Sequence, residues 1–93
     1  MNNARWSARA RRDVEEIREY FDEDIFPDIA DEIVISVRFV CARPKAAQTI
    51  ASTFERKWRV KRYPFLVFYR LQGDQIWITR IRHAQADWLS DFE

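Results

Sequence analysis

The chain of 93 residues is 47% hydrophobic and 33% charged, proportions that suit one folded domain (1–93) with one core and argue against a second domain or a disordered chain. Lys and Arg number 16 against 15 Asp and Glu, a net charge of +1 that says little by itself, but the charges are unevenly placed: 8 basic and 10 acidic residues up to Ile50, then 8 and 5 after it. The single glycine, Gly73, excludes a glycine-rich phosphate loop, and the single cysteine, Cys41, excludes an intramolecular disulfide or a cysteine-rich metal site.

The opening stretch MNNARWSARARRD lacks the apolar run of a secretory signal, and no segment reaches the ~20 apolar residues of a membrane span, so a soluble cytoplasmic protein is expected. Within it, NARW reads as an edge strand, and Ser7 as an N-cap whose hydroxyl accepts from an amide the helix leaves unpaired. A helix is predicted from there to about Asp24, with Ala10, Val14, Ile17 and Phe21 on one stripe and Tyr20 beside it. Pro27 suits the first turn of a second helix, whose broader stripe runs through Ile29, Ala30, Ile33, Val34, Val37, Val40 and Cys41. Joined by DEDIFP, the two form an antiparallel hairpin. Pro44 discourages further helix, and Ala46 to Thr53 reads as loop.

The period then changes to two. Strands are predicted at about Glu55 to Tyr63, Phe65 to Leu71 and Gln75 to Arg82, the last two joined by QGD, where Gly73 supplies a positive φ without steric cost. The middle strand is apolar on both sides, Phe65, Val67 and Tyr69 on one and Leu66 and Phe68 on the other, so it is central and covered on both faces. The last strand carries Ile76 and Ile78 into Arg80 on one face, while Trp77, Thr79, Ile81 and His83 share the other.

From Arg56 to Arg82 there are eight basic residues against Asp74 alone. Inward-facing strands shed charge, so this density points to an anionic or acidic partner, or to a solvated edge defended by cations. Trp58, Trp77 and Trp88 suit packing before base stacking. The acidic cluster Glu19, Asp22, Glu23, Asp24, Asp28 and Asp31 straddles a helix end without the spacing of a calcium loop, and a lone histidine supports no Ser, His and Asp constellation. No metal and no cofactor is expected.

The runs RRDVEEIREYF and WRVKRYPFLVFYRLQGDQIWITRIRH, in the order helix, helix, three strands, resemble the ParE branch of the ParE and RelE toxin superfamily, of the plasmid stabilisation type. The resemblance covers about Arg5 to Trp88. It implies an α+β fold in which an N-terminal antiparallel helical hairpin packs on one face of a small, mainly antiparallel twisted sheet. It also implies the toxin half of a type II toxin–antitoxin pair that inhibits DNA gyrase by binding and is neutralised by a cognate antitoxin in a hetero-oligomer. The surface for target or antitoxin is then expected at Arg59, Lys61, Arg62, Arg70, Arg80, Arg82, His83 and Trp88. The RelE branch implies instead an endonuclease cutting messenger RNA on the ribosome, with Arg62, Arg80 and Arg82 stabilising the phosphate and His83 moving a proton. Against that, Pro64 and Phe65 stand where nuclease relatives carry an arginine before the apolar-tyrosine run. A toxin-like domain that has lost toxicity is a third reading.

Overall fold

Ser7 starts the first helix as its side chain suggests. In the computed structural model, which describes residues 4–50 and 53–89, its Oγ accepts the Ala10 N–H at 3.0 Å, and helix α1 runs Ala8–Tyr20. The helix stops short of the expected Asp24 because Phe21 takes an extended backbone (φ −100°, ψ 154°) and sets its ring edge-on to Phe65 at 5.9 Å. Helix α2 covers Phe26–Ala42 with Pro27 in its first turn, where the missing N–H has no partner to lose.

Before α1, strand β1 is Ala4–Trp6; after α2 come β2 (Gln48–Thr49), β3 (Glu55–Arg59), β4 (Phe65–Gln72) and β5 (Gln75–His83). They form one sheet in the order β1-β5-β4-β3-β2, with β1 parallel to β5 and the other pairs antiparallel. Of the expected NARW strand, Asn3 lies outside the described residues. The stretch read as loop contains the two-residue β2, and its Ala51 and Ser52 also lie outside them. β3 ends at Arg59 rather than Tyr63, because the chain folds into a tight turn at Arg62.

Both helices lie on one face of the sheet. Phe65, Val67 and Tyr69 of β4 share a core with Ala10 and Ile17 of α1, Ile29, Ile33, Val37 and Val40 of α2, and Ile76, Ile78 and Ile81 of β5. Of the two apolar sets on the central strand, this is the one that meets the hairpin. Leu66 and Phe68 form a second, smaller cluster with Ile50 on the opposite face, against which Ala84 and Trp88 pack. The central strand is thus covered on both sides, by helices on one and by connecting segments on the other.

Helix α1 also closes the edge of β5. β1 ends at Trp6, opposite Ile78, and beyond that point β5 has no strand neighbour on that side among the described residues. The helix supplies substitutes: the Ser7 N–H donates to the Ile78 carbonyl at 2.9 Å, the Ser7 hydroxyl to the Thr79 carbonyl at 3.0 Å, and the Asp13 carboxylate accepts the Ile81 N–H at 2.9 Å. Backbone groups that would lie open at an edge are satisfied by one helix.

Candidate functional site

Cross-strand register assigns each side chain to a face. With Phe65, Val67 and Tyr69 turned to the helices, Leu66, Phe68 and Arg70 take the outer face, together with their ladder partners Arg59, Lys57 and Glu55 on β3 and Arg82, Arg80 and Trp77 on β5, of which Arg80 is bound to Asp13 of α1. Arg5, opposite Trp77, joins them. The outer face therefore carries Arg5, Lys57, Arg59 and Arg70 against the carboxylate of Glu55, interleaved with aromatic rings. The Arg5 guanidinium lies 5.9 Å from the Trp77 ring centre and Lys57 Nζ 4.4 Å from that of Trp88. Trp88 reaches this face from the segment after β5 and rests on Phe68, centroids 5.4 Å apart. Between that segment and β3 runs a groove of about 550 Å³ walled by Lys57, Arg59, Leu66, Ala84 and Trp88. Strands here tolerate cations because, among the described residues, neither long helix covers this face, so long stems lie on apolar floor while the charged heads reach water.

Glu55 is the counterweight. Its side chain accepts the Thr79 hydroxyl at 2.8 Å and lies 3.6 Å from Arg70 Nε. Burial pushes its pKa above the ordinary 4.5, opposed by the Thr79 hydrogen bond and by Arg70. A carboxyl whose folded pKa is raised binds its proton more tightly when folded. Its ionisation therefore costs stability, a penalty absent below pH 4.5 that grows as pH rises through the folded pKa. Glu55→Gln keeps an acceptor for Thr79, so thermal unfolding is expected to show an equal or higher Tm at pH 7 and a difference that closes below pH 4.5. A clear drop in Tm at pH 7 would mean that the Arg70 attraction outweighs burial.

The remaining expected residues separate. Arg80 does not reach the surface: it is 8% exposed, and its Nε and Nη2 bind the two Asp13 oxygens at 2.8 and 3.1 Å. A bulge opposite Phe68 and Tyr69 breaks the alternation on β5 at this point, so the cation expected at the rim lies instead in an internal pair with α1. Arg82, at a register position opposite Leu66, lines depressions beside Asp13 and Glu16 of α1. Lys61 and Arg62 lie exposed in the turn between β3 and β4. Arg62 has φ +68°, spanned by a Tyr63 N–H to Lys61 carbonyl bond of 2.7 Å, a strained γ-turn for a residue with a side chain. Its guanidinium lies 3.7 Å from Asp28 and 3.8 Å from Glu32 of α2, which helps to hold the turn.

His83 faces the helix side, edge-on to Phe65 at 5.5 Å. Its Nδ1 accepts the Gln85 N–H at 3.1 Å, which places the proton of the neutral ring on Nε2. The four groups of the nuclease reading therefore do not share one face: Arg62 lies on α2 carboxylates, Arg80 is internal, and Arg82 and His83 sit at the seam with α1. Sequence reading passed over Lys57 and Arg5 and assigned Trp77 to packing. The period of two counted back from Arg59 reaches Lys57 and the pairing with Arg70 places Trp77, while Arg5 required the parallel pairing of β1.

Among the described residues no three His, Cys, Asp or Glu side chains gather as a metal site, and no helix is long and apolar enough to cross a membrane. Residues 4–88 match the family model of the ParE toxin of type II toxin-antitoxin system, parDE. The chain belongs to the ParE toxin family. No curated protein matches its sequence. Among solved structures, this ParE chain is similar to the chromosomal ParDE system from P. aeruginosa, with a TM-score of 0.79 and 22% identity over 91% of this chain and 98% of the other. It is also similar to the intact E. coli RelBE toxin-antitoxin complex, at TM-score 0.62 and 10% identity over 92% and 100%. The isolated E. coli RelE toxin scores 0.62 at 9% identity over 99% and 94%. At these identities the structures share the ParE and RelE fold with this chain, two helices on a mixed five-stranded sheet.

Proposed function

We propose that this ParE family member inhibits growth by binding DNA gyrase and is held inactive by a cognate antitoxin in a cytoplasmic hetero-oligomer. The observation that carries this reading is the outer face of the sheet, where Lys57, Arg59 and Arg70 lie beside Trp77 and Trp88, with Glu55 set against Arg70. An acidic segment that orders on binding suits such a surface. The separation of Arg62, Arg80, Arg82 and His83 weighs against messenger RNA cleavage by this chain. Lys61, Arg62 and Arg82 extend the proposed contact surface around the turn and the β5 edge.

The deciding experiment compares gyrase supercoiling with ribosome-dependent messenger RNA cleavage for purified wild type and two variants. His83→Gln is expected to leave inhibition of supercoiling nearly intact, because a toxin that acts by contact needs no proton transfer, whereas a general acid or base contributes ~10²- to 10⁴-fold. Arg59→Glu with Arg82→Glu is expected to weaken both gyrase inhibition and antitoxin binding, with association slowed most at low salt. Arg80 is left in place, since reversing it breaks the pair with Asp13. Complete loss of activity in His83→Gln, with the double reversal still toxic and messenger RNA cut by the wild type, would replace gyrase with the ribosome as target.

A further inference from the structure

Helix α2 has two apolar faces. Ile29, Ile33, Val37 and Val40 are buried, and at about 100° per residue the opposite side of the helix carries Pro27, Asp31, Val34, Ile35, Arg38 and Ala42, all of them exposed. A surface helix normally turns a charged or polar face to water. Here only Asp31 and Arg38 do so, and Val34 and Ile35, at the middle of the stripe, are 44% and 54% exposed. Beside Val34, between α1 and α2, lies a depression of about 330 Å³ with Trp6, Val14, Ala30 and Ile33 among its walls, so the apolar surface continues past the helix itself.

The two charges on this face are placed symmetrically. Asp31 stands three positions before Val34 and Arg38 three positions after Ile35, while Pro27 and Ala42 stand seven before and seven after. Neither Asp31 nor Arg38 forms an ion pair within the chain among the described residues. Turned end for end about the midpoint between Val34 and Ile35, the stripe brings apolar positions onto apolar positions and the acidic position onto the basic one. The face is complementary to itself in reverse.

We propose that two copies of this chain associate through this face, α2 against α2 in antiparallel order about a two-fold axis between Val34 and Ile35. Val34 and Ile35 of both copies meet at the axis. Asp31 then lies level with the partner's Arg38, and the same pair recurs on the other side of the axis, as an isologous contact requires. An apolar helix of another protein would cover Val34 and Ile35 without any need for the matched spacing of Asp31 and Arg38. An anionic lipid surface would call for flanking cations, whereas Asp28 and Asp31 are exposed on this part of α2. One helix face is a small contact beside the ~800 Å² per partner of a standard interface, so association is expected at micromolar to millimolar concentration. Because the stripe lies opposite the buried side of α2, the helices of the dimer stack between two sheets and both outer faces, with Lys57 and Arg59, stay open.

Sedimentation equilibrium of the purified chain tests this with neither gyrase nor antitoxin present, so its outcome is separate from that of the proposed target. The apparent mass is expected to rise with concentration toward twice that of one chain. Asp31→Arg and Arg38→Asp should each raise the dimer Kd at least about tenfold by setting like charges level with each other. Both reversals in one chain should restore the dimer, and an equimolar mixture of the two single variants should associate although neither does so alone. Ile35→Lys should abolish the dimer with Tm nearly unchanged, and Arg9→Glu at the start of α1 should have no effect. A monomer at millimolar concentration overturns the proposal and leaves the stripe to a different partner. A dimer indifferent to Ile35→Lys places the contact elsewhere on the molecule, and failure of both the combined variant and the mixture to associate rules out the antiparallel register.

Discussion

Replacing Asp13 with alanine is expected to destabilise the fold by about 3–5 kcal/mol, the range for removing one partner of a buried ion pair. The side chains of Asp13 and Arg80 are 7% and 10% exposed, and the same carboxylate accepts the Ile81 N–H, so the substitution takes the bidentate carboxylate from a buried guanidinium and the acceptor from a backbone donor at once. Urea unfolding measures the effect directly. A loss below about 1 kcal/mol, the range of exposed ion pairs, would mean that α1 closes the β5 edge with little energetic consequence. Replacing both partners with apolar residues of similar volume is expected to cost far less than Asp13→Ala alone, because no charge is then left buried.

Phe68→Ala is expected to cost about 3–5 kcal/mol, as for other large-to-small changes in a core. Phe68 is 0% exposed although it lies on the face away from the helices. Removal of its ring leaves a cavity under Trp88 and takes away the surface on which that ring rests. The Trp88 contribution to fluorescence should shift toward that of a solvated indole in the folded variant. Phe54→Ala is the matched control: Phe54 is 82% exposed, and its truncation should change stability by no more than about 0.5 kcal/mol. Equal effects at the two sites would place the second cluster at the surface.

Local chemistry made most elements readable. Ser7 ahead of a stripe at helical spacing announced α1, Pro27 the first turn of α2, and Gly73, at φ +63°, the turn between the two longest strands. Where the sequence misled, long-range structure decided. The apolar alternation of β4 is symmetric between Phe65, Val67, Tyr69 and Leu66, Phe68, and only the placement of the helices breaks the symmetry. The early end of β3 depends on a positive φ at Arg62, a conformation that arginine does not advertise. Arg80 read as a surface cation because its partner Asp13 lies 67 positions away and because the bulge on β5 disrupts the alternation from which its face was inferred. Arg59, Arg70 and Trp88 did fall together on the outer face, since each belongs to an uninterrupted ladder or follows directly from one.

The parallel pairing of β1 with β5 has a consequence for biogenesis. Residues 4–6 find their partners at 76–78, and Ser7 donates to the carbonyl of Thr79, 72 positions later. During synthesis β1 must wait, unmatched, for β5 to be made. Contacts of such separation form late and slowly, so the nascent chain acquires this face of the sheet only after residues 76–83 have left the ribosome. A cell that makes this protein has that interval in which a binding partner can meet it before it is fully assembled.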